Sequence, residues 1–147
     1  MDIWDDEIDE GRIFHEGIGL FNRGRWFEAH EVWEDIWYLA SGERKTFYQG
    51  LIMCAYVMVH VQRGSPRGVK TSYASLAYKF KDLPGEFMGV EISLLQGEML
   101  GYIKPILGMG RGCFVASLGS GQLLPVDLAD APRIRLAYDP FNERFKI

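Results

Sequence analysis

The chain has 147 residues, 48% of them hydrophobic and 14% aromatic, with a formal net charge of −4. That is enough apolar material for one domain to bury about two thirds of its unfolded surface, and it excludes global disorder. The charge is uneven: Asp2, Asp5, Asp6, Glu7, Asp9 and Glu10 make the first ten residues −6, which leaves 16 bases against 14 acids, or +2, for the remainder.

Seven bases and no acid lie between Glu43 and Asp82. Among them Arg63, Arg67, Lys70, Lys79 and Lys81 are too widely spaced for a phosphate footprint, so no nucleic acid is expected as a partner. Cys54 falls in an apolar helical stretch and Cys113 in a Gly-rich one, a pairing that suits neither a disulfide scaffold nor a zinc spacing. The acidic N-terminus lacks the basic and apolar regions of a signal peptide. Leu51 to Val61 is too short an apolar run to cross a bilayer. A cytoplasmic protein without a membrane partner is the expectation.

Ile8 to Phe21 reads as the first helix, with Phe14, Ile18 and Phe21 at helical spacing and Asn22-Arg-Gly24 as its stop. Arg25 to Leu39 reads as the second. At about 100° per residue, Trp26, His30, Trp33, Glu34 and Trp37 share one face, with Glu28 and Asp35 opposite and Glu31 on the flank. Ser41-Gly42 breaks the chain, and a third helix, apolar almost all round from Phe47 to Val61, follows from Glu43. Its polar exceptions, Gln49, Tyr56, His60 and Arg63, form a stripe. The short turn makes these two helices antiparallel neighbours. Counting back from the turn sets Glu34 level with Gln49, His30 with Met53, and Trp26 near Tyr56.

Gly64 ends the third helix, and Ser65-Pro66 starts a fourth that runs to Pro84-Gly85. A fifth, with Ser93-x-x-Gln96 as a candidate capping box, carries Ile92, Leu95, Met99, Ile103 and Ile106 on one face. From Gly108 onward glycines and prolines exclude a regular helix. Cys113 to Leu118 and Ile134 to Tyr138 are candidate short strands. The expected fold is all-α: a compact bundle of about five helices over residues 1–108, with an irregular extension over 109–147 packed on the bundle or on a partner subunit. Because that extension keeps Phe114, Leu123, Leu124, Leu136, Tyr138, Phe141 and Phe145, a homodimer to which it contributes is expected.

Two readings of the His30 region stand side by side. In the first, His30 and Glu34 pair within a buried polar network, Gln49 reaches across the helix pair, and Tyr56 with His60 forms a second layer. Trp33 and Trp37 are then core, and the protein is a structural or interaction module. In the second, His30 and Glu34 at i, i+4 bind a divalent metal, Glu31 flanks them, and His30, Glu31 and Glu34 are the catalytic candidates of a hydrolase. His30-Glu-Val-Trp-Glu34 departs from the zinc-protease string H-E-x-x-H in its last residue, which disfavours a protease.

The segment Leu20-Phe-Asn-Arg-Gly-Arg-Trp-Phe-Glu-Ala-His-Glu-Val-Trp-Glu-Asp-Ile-Trp37, followed by Glu43-Arg44, Phe47-Tyr-Gln-Gly-Leu-Ile52, His60 and Gly64, resembles domain-of-unknown-function family 309 over roughly residues 10 to 107. The resemblance implies a compact all-α bundle, and the family's pattern falls on Glu28, His30, Glu31, Glu34, Gln49 and His60. It implies no reaction. The tail, which exceeds the minimal domain, and Ser65, where the family often has Asn, depart from the pattern.

Overall fold

A 22-residue helix, Gly42–Arg63, is the element around which the others close. Eleven of its residues are buried, from Phe47 to Val61 and on every side of its axis, as its apolar composition requires. The computed structural model describes residues 9–110, 112–116 and 125–142. Within them the helices are α1 (Glu10–Asn22), α2 (Trp26–Leu39), α3 (Gly42–Arg63), α4 (Pro66–Phe80) and α5 (Ile92–Leu107). A two-residue antiparallel hairpin, β1 (Glu86–Phe87) and β2 (Val90–Glu91), precedes α5, and a single 3-10 turn covers Leu128–Asp130. The fold is all-α, as the periodicity predicts.

The helix boundaries follow local chemistry. Asp9 caps α1 by accepting from the Arg12 amide at 3.0 Å, and Ser65 caps α4 by accepting from Gly68 at 3.1 Å, with Pro66 in the first turn. Gly24 and Gly64 take φ of 78° and 70° at the two helix stops, a region closed to most side chains. The capping box expected at Ser93 does not form. α5 begins two residues earlier, after Glu91, because the hairpin delivers the chain straight into the helix.

Close approaches lock the bundle at glycines. A Cβ on Gly17 would stand 2.0 Å from Trp33 Nε1, and one on Gly50 would stand 2.1 Å from Phe80 Cε1. Thus α1 meets α2 through the first notch, and α3 meets α4 through the second.

The strands expected in the tail are absent from its described residues. Residues 113–116 are irregular, and around Leu136 there is only an isolated bridge to Val90. The Phe114 and Ala137 amides donate to the Gly64 and Gly89 carbonyls, and side chains close further backbone groups of the tail. Asn22 donates to the Ile134 carbonyl at 2.8 Å and accepts from the Ile134 amide at 2.7 Å. Tyr102 donates to the Asp127 carbonyl at 2.8 Å. Val126 and Ile134 enter the core, and Phe141 lies against Phe14 with ring centroids 5.5 Å apart. Phe114, Leu136 and Phe141 are partly buried against this chain's own core. Leu123, Leu124 and Phe145 lie outside the described residues.

The Gly50 notch can be tested by the sign of one substitution. In an open helical position Gly→Ala stabilises by up to about 1 kcal/mol. Here Gly50→Ala is expected to destabilise by about 1–3 kcal/mol in a urea titration, through overpacking against Phe80. Adding Phe80→Leu should recover part of that loss.

Candidate functional site

His30 sits on the buried arc of α2 with Trp26, Ala29, Trp33 and Ile36, and it is 5% exposed. Its Nδ1 donates to the Phe27 carbonyl one turn earlier, and its Nε2 lies 3.1 Å from Glu34 Oε1. A carbonyl oxygen only accepts, so Nδ1 carries a hydrogen and Nε2 is the nitrogen that faces the carboxylate. The ring is held on its faces as well. Phe27 meets it edge-on and Tyr56 packs at an angle of 39°, each with centroids 4.6 Å away.

Glu34 is placed differently from the expectation of a buried pair. Its side chain is 48% exposed. The centre of the buried arc is Trp33, which has no exposed surface, and the next residue is about 100° away, which puts Glu34 on the rim. The pair therefore joins a buried imidazole to a carboxylate at the surface.

The cross-helix partner also differs. Counting from the turn sets Met53 opposite His30, yet Tyr56 fills that place. Side chains lean toward the N-terminus of their own helix. In an antiparallel pair His30 leans away from the turn and Tyr56 toward it, so residues about one turn apart in level meet. Gln49 is half-buried, and among the described residues it makes no hydrogen bond to His30 or Glu34. Burial, reinforced by the carboxylates of Glu34 and Glu31 and opposed by Arg63, pushes the Tyr56 phenol above its ordinary value.

The other candidate residues scatter. Glu28 pairs with Arg25, with contacts of 2.7 and 2.8 Å, on the outer side of α2. Glu31 is exposed. Trp33 donates to the Phe14 carbonyl at 3.3 Å, and the half-buried Trp37 carries the Lys45 ammonium 5.1 Å from its ring centroid. His60 packs against Gly68, where a Cβ would stand 2.2 Å from its Nδ1, and burial together with Arg63 pulls its pKa below the ordinary 6.5. Among the described residues no group of three or more His, Cys, Asp or Glu side chains converges in a way that would hold a metal ion. The reason is geometric: Glu28 turns outward, and α3 offers a phenol beside His30 where a third ligand would have to stand.

Sequence reasoning did not anticipate Phe27. It is 47% exposed, yet it supplies both the carbonyl and the edge contact that hold His30. Its position one turn before the histidine is the signal that would have found it.

Removing the His30 side chain deletes a buried ring packed against Phe27 and Tyr56, and His30→Ala is expected to cost roughly 2–4 kcal/mol in an unfolding titration. Glu34→Ala removes a carboxylate that water already reaches, so it should cost no more than about 1 kcal/mol. Equal losses would contradict the rim placement of Glu34.

The His60 shift has a definite sign in pH. Its folded-state value is depressed, so as pH falls below about 6.5 the unfolded chain takes up the proton first and stability declines. His60→Asn should flatten the acid side of the stability profile below about pH 6.5. A nuclear magnetic resonance titration of the wild-type ring should show a midpoint below 6.5, nearer to it in Arg63→Gln.

Comparison with known proteins places this geometry in context. An uncharacterized protein of Aquifex aeolicus (strain VF5) is 27% identical over 100 residues, which make up 67% of this chain and 29% of that protein. The chain thus spans less than a third of that relative's length. Residues 14–71 match the model of a family described as a domain of unknown function (DUF309). That stretch, which contains the whole of α2 and α3, is where this chain is similar to the DUF309 domain family.

Proposed function

We propose that the protein is a structural or interaction module, and that the His30 network serves packing between α2 and α3 rather than a reaction. The observation that carries this reading is the engagement of His30 on every side: a carbonyl on Nδ1, a carboxylate on Nε2, and aromatic rings against its faces. A general base or a ligand needs one nitrogen open to its substrate or metal. The cavity beside the α1–α2 turn and three others bounded by described residues have linings that do not include His30, Glu31 or Glu34.

In this reading residues 1–108 are the helical domain, residues 109–147 an extension braced against it, and the chain works as a homodimer in the cytoplasm. The outer face of α5 supports self-association. Leu94 and Leu100 are 53% and 40% exposed, and Gly97 and Gly101 between them have no atom within 4 Å of an added Cβ. Glycine inside an exposed helix costs about 1 kcal/mol against alanine, and a bare backbone ridge allows a second helix to approach closely.

Light scattering together with elemental analysis tests both parts. The full chain should run at twice the monomer mass with no stoichiometric zinc, manganese or iron, and Leu94→Glu with Gly101→Glu should halve that mass. A monomeric wild type would remove the assembly role. A stoichiometric metal lost on His30→Ala would replace the module with a metal protein.

A further inference from the structure

The turn between α1 and α2 forms one wall of a cavity that is separate from the His30 network. Its volume is about 520 Å³, within the range of small-ligand sites. Phe21, Asn22, Arg23, Gly24 and Trp26 come from the turn, Gln62 from the end of α3, and Leu128 to Arg133 from the tail. Both walls are braced. Asn22 clamps the Ile134 backbone through two hydrogen bonds, and Asp127 accepts from the Ala129 amide at 2.9 Å to hold the 3-10 turn.

The charge at this cavity is one-sided. Arg12, Arg25 and Arg44 each have a carboxylate partner, Glu16, Glu28 and Glu10 respectively. Among the described residues Arg23 and Arg133 have none, and no acid belongs to the lining. Asp127 and Asp130, close by in sequence, bear on Tyr102, whose phenol they help to raise after burial. The helix termini add to the same sign. The last carbonyls of α1 are closed by the amides of Arg23, Gly24 and Arg25, whereas α2 starts at the lining residue Trp26 without a side-chain cap. The positive end of the α2 dipole thus stands at this wall, and the negative end of α1 is neutralised.

The geometry points to a binding site for a small organic anion, a carboxylate or phosphate monoester on a compact apolar body. The anionic head would take the guanidinium groups of Arg23 and Arg133, which match such oxygens in pairs. Asn22 is committed to the tail, which leaves the Gln62 amide to meet a polar substituent. Phe21, Leu128 and Pro132 supply the apolar surface. The site is independent of the assembly role and of His30.

Calorimetric titration of the full-length chain at low salt, with phenyl phosphate, benzoate, inorganic phosphate and neutral benzyl alcohol as separate probes, is the test. Saturable binding of phenyl phosphate or benzoate is expected, at least tenfold tighter than benzyl alcohol. Tighter binding of the first identifies a phosphate site, and of the second a carboxylate site. Arg23→Gln and Arg133→Gln should each weaken the favoured probe about tenfold without moving the thermal midpoint, since both side chains are exposed. Ala129→Trp, an exposed lining position, should block the cavity while leaving both charges in place. Failure of both organic anions to bind would overturn the proposal. So would affinity that survives the double arginine variant or the tryptophan variant unchanged, or inorganic phosphate binding as tightly as phenyl phosphate.

Discussion

The seating of Trp33 against Gly17 is the contact on which the rest of the structure depends. An indole with no exposed surface needs a space the size of its ring, and α1 supplies it by having no side chain at that point. The indole N–H is then close enough to donate to the Phe14 carbonyl, so the deepest side chain of α2 keeps its polar atom satisfied. Once Trp33 is seated, the rotation of α2 about its axis is set. Ala29 and Ile36 fall on one side of it and His30 on the other, all buried, and Glu34 is carried to the rim.

The helix α3 repeats the device with its own neighbours. Gly50 admits the Phe80 ring of α4, and Gly68 of α4 admits the His60 ring of α3, so the two helices interlock by exchanging rings for absent side chains. An apolar helix surrounded in this way leaves little room for buried polar atoms. Burial pushes the Cys54 thiol well above its ordinary range, which keeps it a small hydrophobe rather than a nucleophile. At the opposite edge of the core the same burial, with the Glu10 carboxylate nearby, raises the Tyr48 phenol. Arg44 holds that carboxylate with contacts of 2.8 and 2.9 Å and ties the start of α1 to the start of α3.

The described residues of the tail show how a segment with little regular secondary structure can be held by a helical core. A backbone group leaving water needs a partner, and other backbone supplies some: the Phe114 amide donates to the Gly64 carbonyl and the Ala137 amide to the Gly89 carbonyl. Single side chains of the bundle supply others: Asn22 for both backbone groups of Ile134, Tyr102 for the Asp127 carbonyl, and Lys70 for the Met109 carbonyl. The cavity beside Arg23 and Arg133 exists because the Asn22 clamp holds the tail across the α1–α2 turn without filling the space in front of it.

The sequence by itself determined the five helices, most of their ends and the central place of α3. These follow from local rules: hydrophobic period, Ser65-Pro66 at a start, and positive-φ glycines at 24 and 64. It also singled out His30 with Glu34, because i, i+4 neighbours on one helix meet whatever packs around them. Only the tertiary structure decided that Tyr56 and not Gln49 faces His30, since the lean of side chains in an antiparallel pair shifts the meeting level by about a turn. It alone placed Glu34 at the surface, through the seating of Trp33, and turned Glu28 toward Arg25. The pairing of Asn22 with Ile134, 112 residues away, carries no periodic signal and leaves no mark on either segment. Contacts of that kind depend on where finished helices come to rest, and a pattern along the chain records only the helices.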